Sequence, residues 1–172
     1  MVWRKEDPEG NEAAKVRFDV VPYIGTCGLD LGCGPAKIFE HFIGVDNCCE
    51  TELFGIRMKP DIVVSDCSRM PLFGDRHSDC VFSSHLLEHI EDHEAALAEW
   101  WRLVKVGGHL VLYLPHRDLY PHMGEPGANP DHKHDFAPQD IVEAMERVAK
   151  DWDLVVNQTR DQGREYSFLQ VY

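Results

Sequence analysis

Gly28-Leu29-Asp30-Leu31-Gly32-Cys33-Gly34-Pro35 is followed by a second short apolar run that ends in an acid, Phe42-Ile43-Gly44-Val45-Asp46. The glycines stand where a strand hands over to a helix, which is the place of a nucleotide-binding turn. Gly32 and Gly34 can adopt positive φ and carry no Cβ, so their backbone can approach a ligand closely. Asp46 closes the next strand. An ionised carboxylate there offers only acceptors and suits the two donors of a ribose diol. A dinucleotide fingerprint needs a third glycine, and Lys37 occupies that position. Asp30 on the lip of the turn would repel a pyrophosphate and favour a cationic ligand instead.

Leu29-Asp30-Leu31-Gly32-Cys33-Gly34 resembles motif I of the class I S-adenosylmethionine (SAM)-dependent methyltransferases, and Gly44-Val45-Asp46 resembles their motif II. The likeness is to the type 11 group and is specific from about Val16 to Leu114. It implies a Rossmann-like three-layer α/β sandwich whose seven-stranded sheet is mostly parallel with the last strand antiparallel. It also implies SAM as cofactor, held at Asp30, Gly32, Cys33, Gly34, Asp46 and Asn47, with Asp66 and the Cys67 N–H at the adenine. Ser83 and His85 then lie below the methionine portion. Arg102-Leu103-Val104-Lys105-Val106-Gly107-Gly108 resembles the family's junction into strand five, with Val106 where proline is usual.

At 172 residues the chain has room for one domain, residues 1–172, so a single site serves both cofactor and substrate. Its 30 acidic and 17 basic side chains, net −13, work against a phosphate-rich partner, and no DNA or RNA substrate is expected. The N-terminus lacks the apolar core of a signal peptide, and no apolar run is long enough to span a bilayer, so a cytoplasmic protein is expected. Six cysteines without a C-x-x-C pair suggest neither a zinc ribbon nor a disulfide framework.

Taken in order, residues 1–10 read as irregular. Asn11 then caps a helix with Ala13, Val16, Val20 and Ile24 on one side. Residues 1–24 form an N-terminal cap region, to which Trp3 could contribute. Strands are expected over 27–31, 42–46, 61–65, 79–83 and 109–114, with a short helix over 36–41 and an abbreviated crossover over 47–60. Asp92 caps a helix bearing Ala96, Leu97, Trp100, Trp101 and Val104, and Gly107-Gly108 ends it. Residues 116–137 have no period and form a substrate-side loop at the end of strand five. Pro138 opens the last helix, and strands over 152–157 and 165–171 close the sheet as a hairpin.

Methyl transfer asks mainly for alignment in a dry pocket, while an acceptor that starts protonated gains from a general base. His85 and His116 are the candidate catalytic residues, and His132 and His134 the substrate-side ones. His132-Lys133-His134-Asp135-Phe136 resembles a segment of methyltransferases in sugar and polysaccharide pathways, which points to a small-molecule acceptor related to glycans. His85-Leu86-Leu87-Glu88-His89 also satisfies H-x-x-E-H, the zinc-hydrolase pattern in which two histidines one helical turn apart bind metal. Such an enzyme has no use for the glycine turn. The loop residues His116, Asp118, His122, Asp131, His132 and His134 are possible metal donors, yet the sequence alone assigns no metal ligand. A SAM-binding regulatory module without catalysis would share the same cofactor motifs.

Overall fold

Leu29 and Leu31 turn to one face of the first strand, β1 (Gly28–Leu31), and all four of its residues are buried. The computed structural model describes residues 11–47 and 60–172, and the backbone of 52–53 and 56–57. Six more strands complete the sheet: β2 (Ile43–Asp46), β3 (Ile62–Val63), β4 (Ser78–Ser84), β5 (Val104–Pro115), β6 (Val156–Arg160) and β7 (Ser167–Val171). Their spatial order is 3-2-1-4-5-7-6. The first five are parallel, and β7 pairs antiparallel with both β5 and β6. Register sets Asp30 between Gly44 of β2 and Phe82 of β4. The strand order reverses beside β1, so the crevice at the carboxyl ends of β1 and β4 is the natural place for a ligand.

One face of the sheet, with Leu29, Leu31, Val81, Leu110 and Leu112, is covered by α2 (His93–Leu103) and α3 (Pro138–Val148). Asp92 caps α2 by accepting the Ala95 N–H at 3.0 Å, and Ala96, Leu97, Trp100 and Leu103 are its buried side. Trp100 donates its indole N–H to the Cys67 carbonyl at 2.8 Å, tying the helix to the segment after β3. The other face, with Phe82, Val111, Tyr113, Leu169 and Val171, packs against Val16, Val20, Ile38 and Phe42. These come from α1 (Glu12–Val16), the turns that follow it and the loop between β1 and β2. This layer is thin.

Several expectations are corrected. No helix forms over 36–41. Lys37 instead donates Nζ to the carbonyls of Glu40 and Phe42 and to Asp61, and Asp30 takes the Ile38 N–H at 2.6 Å. These bonds draw the crossover tight against the sheet, where the Phe42 ring lies 2.3 Å from the place a Cβ at Gly28 would occupy. Asn11 caps α1 as expected, accepting from Ala14 N–H, but the helix stops at Val16 and Val20 is buried from a turn. Helix α2 ends at Leu103, where Val104 turns extended, and Gly107 and Gly108 lie inside β5. The last hairpin begins at Val156 rather than Trp152, whose ring packs edge-on against Tyr172. Residues 52–53 and 56–57 pair as a two-stranded antiparallel ribbon. The readings of residues 1–10, Trp3, Cys48 and Cys49 lie outside the described residues. Among the described residues no helix is long and apolar enough to cross a membrane.

Candidate active site

A cleft of about 420 Å³ opens at the carboxyl ends of β1, β2 and β3, within the usual range for small-ligand sites. The glycine turn forms its floor through Gly32, with Asp46 and Asn47 beside it, Asp66 and Cys67 on one wall and Leu86 and His89 to Asp92 on the other. Gly32 has φ +70°, and a Cβ there would stand 2.9 Å from the Leu86 side chain, so only glycine lets the two walls meet.

The donors of the turn are engaged from within. Gly32 and Cys33 both give their N–H to the Val45 carbonyl, at 2.8 and 3.3 Å, and Gly34 gives its own to Asp46 Oδ2 at 2.9 Å. The sequence suggested a backbone of N–H groups held out to a ligand; the structure turns them inward and presents a carboxylate. An anion finds no cradle here, whereas Asp46, steadied by Gly34 and 9 % exposed, suits a diol or a cation. Asp66 accepts Ser68 N–H at 2.8 Å and Ser68 Oγ at 2.7 Å, one bond per oxygen. Each oxygen keeps capacity for a second donor such as an amino group on a purine ring. The Cys67 thiol, raised to about 12 by burial, stays neutral, as does Cys33, whose thiol burial also raises.

Asp30 does not stand on the lip. It is 2 % exposed and does not line the cleft; its carboxylate braces the β1–β2 loop through Ile38 N–H. Desolvation lifts its pKa to about 7 against that bond. Ser83 is fully buried and also outside the lining, its Oγ without a hydrogen-bond partner among the described residues.

The histidines divide. His116 turns Nδ1 to its own loop, accepting from Asp118 N–H, and packs on Phe168, away from the cleft. His134 Nε2 meets the carbonyls of Ile90 and Glu91 at 3.0 and 3.1 Å, bracing the cleft wall from behind. His85 has φ +49°, an uncommon conformation for a side chain of its size. Its N–H is held by the Tyr113 carbonyl and its Nε2 lies 3.0 Å from Ser167 Oγ. Burial drives its pKa down to about 3, so the ring is neutral and weakly basic. Neither His85 nor His116, the candidate catalytic residues, lines this cleft.

Glu88 is the residue that sequence reading undervalued. It sits in a 3-10 turn (Leu87–His89) rather than on the helix that the zinc-hydrolase pattern requires. It is fully buried, neither carboxylate oxygen has a hydrogen bond among the described residues, and burial lifts its pKa to about 8. His85 Nδ1, His89 Nε2 and His132 Nε2 stand 3.8, 3.9 and 3.9 Å from Oε1. The H-x-x-E-H pattern was the available signal. It marks the two nearer histidines but does not reveal that His132, from the long loop, completes the group.

Residues 29–112 match the family described as methyltransferase domain. An uncharacterised 37.1 kDa protein in transposon Tn4556 of Streptomyces fradiae is 32 % identical over 109 residues, covering 55 % of this chain and 31 % of that protein. The chain thus spans less than a third of that relative's length. Among solved structures, a chain in the complex between the Haloferax volcanii Trm112 methyltransferase activator and the putative methyltransferase superposes with TM-score 0.69 at 17 % identity. That match covers 92 % of this chain and 87 % of that one. A SAM-dependent methyltransferase from Archaeoglobus fulgidus gives 0.65 at 20 %, over 92 % and 91 %, and one from Mesorhizobium loti 0.67 at 16 %, over 92 % and 96 %. At such identities the likeness is one of fold, and it is the fold on which the family's motifs are laid out here. Residues 29–112 thus carry the match to the methyltransferase-domain family, and the fold around them is that of SAM-dependent methyltransferases.

Proposed function

We propose that this protein transfers a methyl group from SAM to a small polar acceptor of the sugar or glycan class. The observation that carries the reading is the turn whose N–H groups are satisfied internally while Asp46 faces the cleft, a site built for a cationic adenosyl ligand and poor for a pyrophosphate. Asp46 receives the ribose hydroxyls, Asp66 and the Cys67 N–H receive the adenine, and Gly32 and Asn47 frame the middle. SAM supplies the electrophilic methyl; the chain supplies alignment and exclusion of water. The wall of Leu86 and His89 to Asp92, backed by His134, is the side from which the acceptor approaches. The net charge of −13 favours an uncharged acceptor over a nucleic acid.

Asp46→Ala removes two charge-assisted acceptor contacts of about 1.5–3 kcal/mol each. Equilibrium dialysis with labelled SAM should show binding weakened at least about tenfold, with circular dichroism unchanged. Equal affinity in the variant overturns the assignment. Incubation with methyl-labelled SAM and a panel of monosaccharides, glycosides and oligonucleotides tests the acceptor: label in a hydroxylated small molecule is expected, and label in an oligonucleotide overturns that part.

A further inference from the structure

The buried carboxylate beside the cleft has the surroundings of a metal ligand. Its oxygens make no hydrogen bonds among the described residues, and three imidazole nitrogens surround Oε1 at 3.8–3.9 Å. That separation is too long for a hydrogen bond. It is also short for a bridging water, which holds its two partners roughly 4.5–5.5 Å apart. Donors on one ion with bonds of about 2.0–2.2 Å lie roughly 3–3.5 Å from each other, so each imidazole closes on the carboxylate by about half an ångström and the widest pair in the group by up to about an ångström more. The ligating atoms of Glu88, His89 and His132 all lie within 4.8 Å of one another.

The groups behind these donors are already in place. His85 Nε2 is taken by Ser167 Oγ, which leaves Nδ1 toward Glu88. His89 meets the backbone of Asp131. Such outer contacts fix a ligating ring and its tautomer. The Glu88 carbonyl accepts from Lys133 and His134 N–H at 2.7 and 3.2 Å, which anchors the stretch carrying His132 against the carboxylate. The left-handed backbone of His85 is the kind of strain that gathers at functional sites.

We infer that Glu88, His89 and His132 bind one divalent transition-metal ion, Zn²⁺ or a first-row neighbour, at the wall of the cleft, with His85 standing beside Glu88. Imidazole and carboxylate donors suit this class and not the all-oxygen preference of Mg²⁺ or Ca²⁺. The site rests on its own geometry and stands whether or not methyl transfer is the activity. It also departs from a hydrolase arrangement, because Glu88 is a ligand here rather than a base held beside the metal.

The test uses the full chain, stripped with a chelator and titrated with Co²⁺, whose visible bands report imidazole ligation, then with Zn²⁺ in competition with a chromophoric chelator. One equivalent at micromolar affinity or tighter is expected. Glu88→Gln and His132→Ala should each weaken binding by about 100-fold or more, while His122→Ala, at an exposed position, should leave it unchanged. Should Glu88→Gln fail to fold by circular dichroism, His132→Ala on the loop carries the comparison. No bound equivalent in the wild type, or wild-type affinity in His132→Ala, overturns the site.

Discussion

Asp30 pays for its position in the loop-facing side of β1 with a carboxyl lifted from 3.8 to about 7. Between those values the unfolded chain has released the proton and the folded chain still holds it. Folded stability therefore falls as pH rises through this window and levels off above it. Asp30→Asn lacks this dependence, so its stability advantage over the wild type should shrink by about 2 kcal/mol between pH 7 and pH 5 in urea melts. A constant difference would show that the carboxyl ionises freely. The position was legible from Gly-Leu-Asp-Leu-Gly-Cys-Gly, but its direction was not. Strand alternation sends the carboxylate to one face, and only the path of the loop determines that Ile38 N–H waits there. Asp46 was legible in both respects, because the last residue of a parallel strand before the crevice has few other places to point.

At the scale of elements, the strands were readable because a strand buried on both sides is an apolar run bounded by turn residues. The missing helix over 36–41 was not, since Lys37 and Asp30 form bonds that no local pattern announces. Nor could a pattern at 85–89 foretell that the loop returns His132 to it. A similar tertiary clamp starts the sheet. Asp79 at the head of β4 accepts Thr26 N–H, Thr26 Oγ1 and Cys27 N–H on one oxygen and Lys105 Nζ on the other, at 2.7–3.0 Å. The Lys105 ammonium and these N–H groups hold its carboxyl well below the usual range. The stabilisation is present in full above the ordinary carboxylate pKa near 4 and drains away as pH falls below it. Asp79→Asn should cost about 1–3 kcal/mol at pH 7 and about 1 kcal/mol less than that at pH 3 in guanidinium melts, because pH 3 crosses only the first unit of the window; an equal loss at both pH values would contradict the clamp.

For the molecule as a whole, the cofactor cleft should couple to global stability. SAM at a hundred times its dissociation constant should raise unfolding free energy by about 2.7 kcal/mol, visible as a rise in melting temperature that Asp46→Ala does not show. Absence of a rise in the wild type would mean that the cleft does not take SAM. The long loop has a different relation to the whole. Arg117 N–H meets the Phe136 carbonyl at 2.7 Å, so the chain leaves the sheet and comes back at nearly the same point. Between Tyr120 and Asp131 the chain makes an excursion that the scaffold does not need for closure, while Lys133 and His134 stay tied to the Glu88 carbonyl. Residues 121–130 can be exchanged for a short glycine linker, or lengthened, with the sheet and its covering helices undisturbed. What this excursion reaches is thus set apart from how the domain folds.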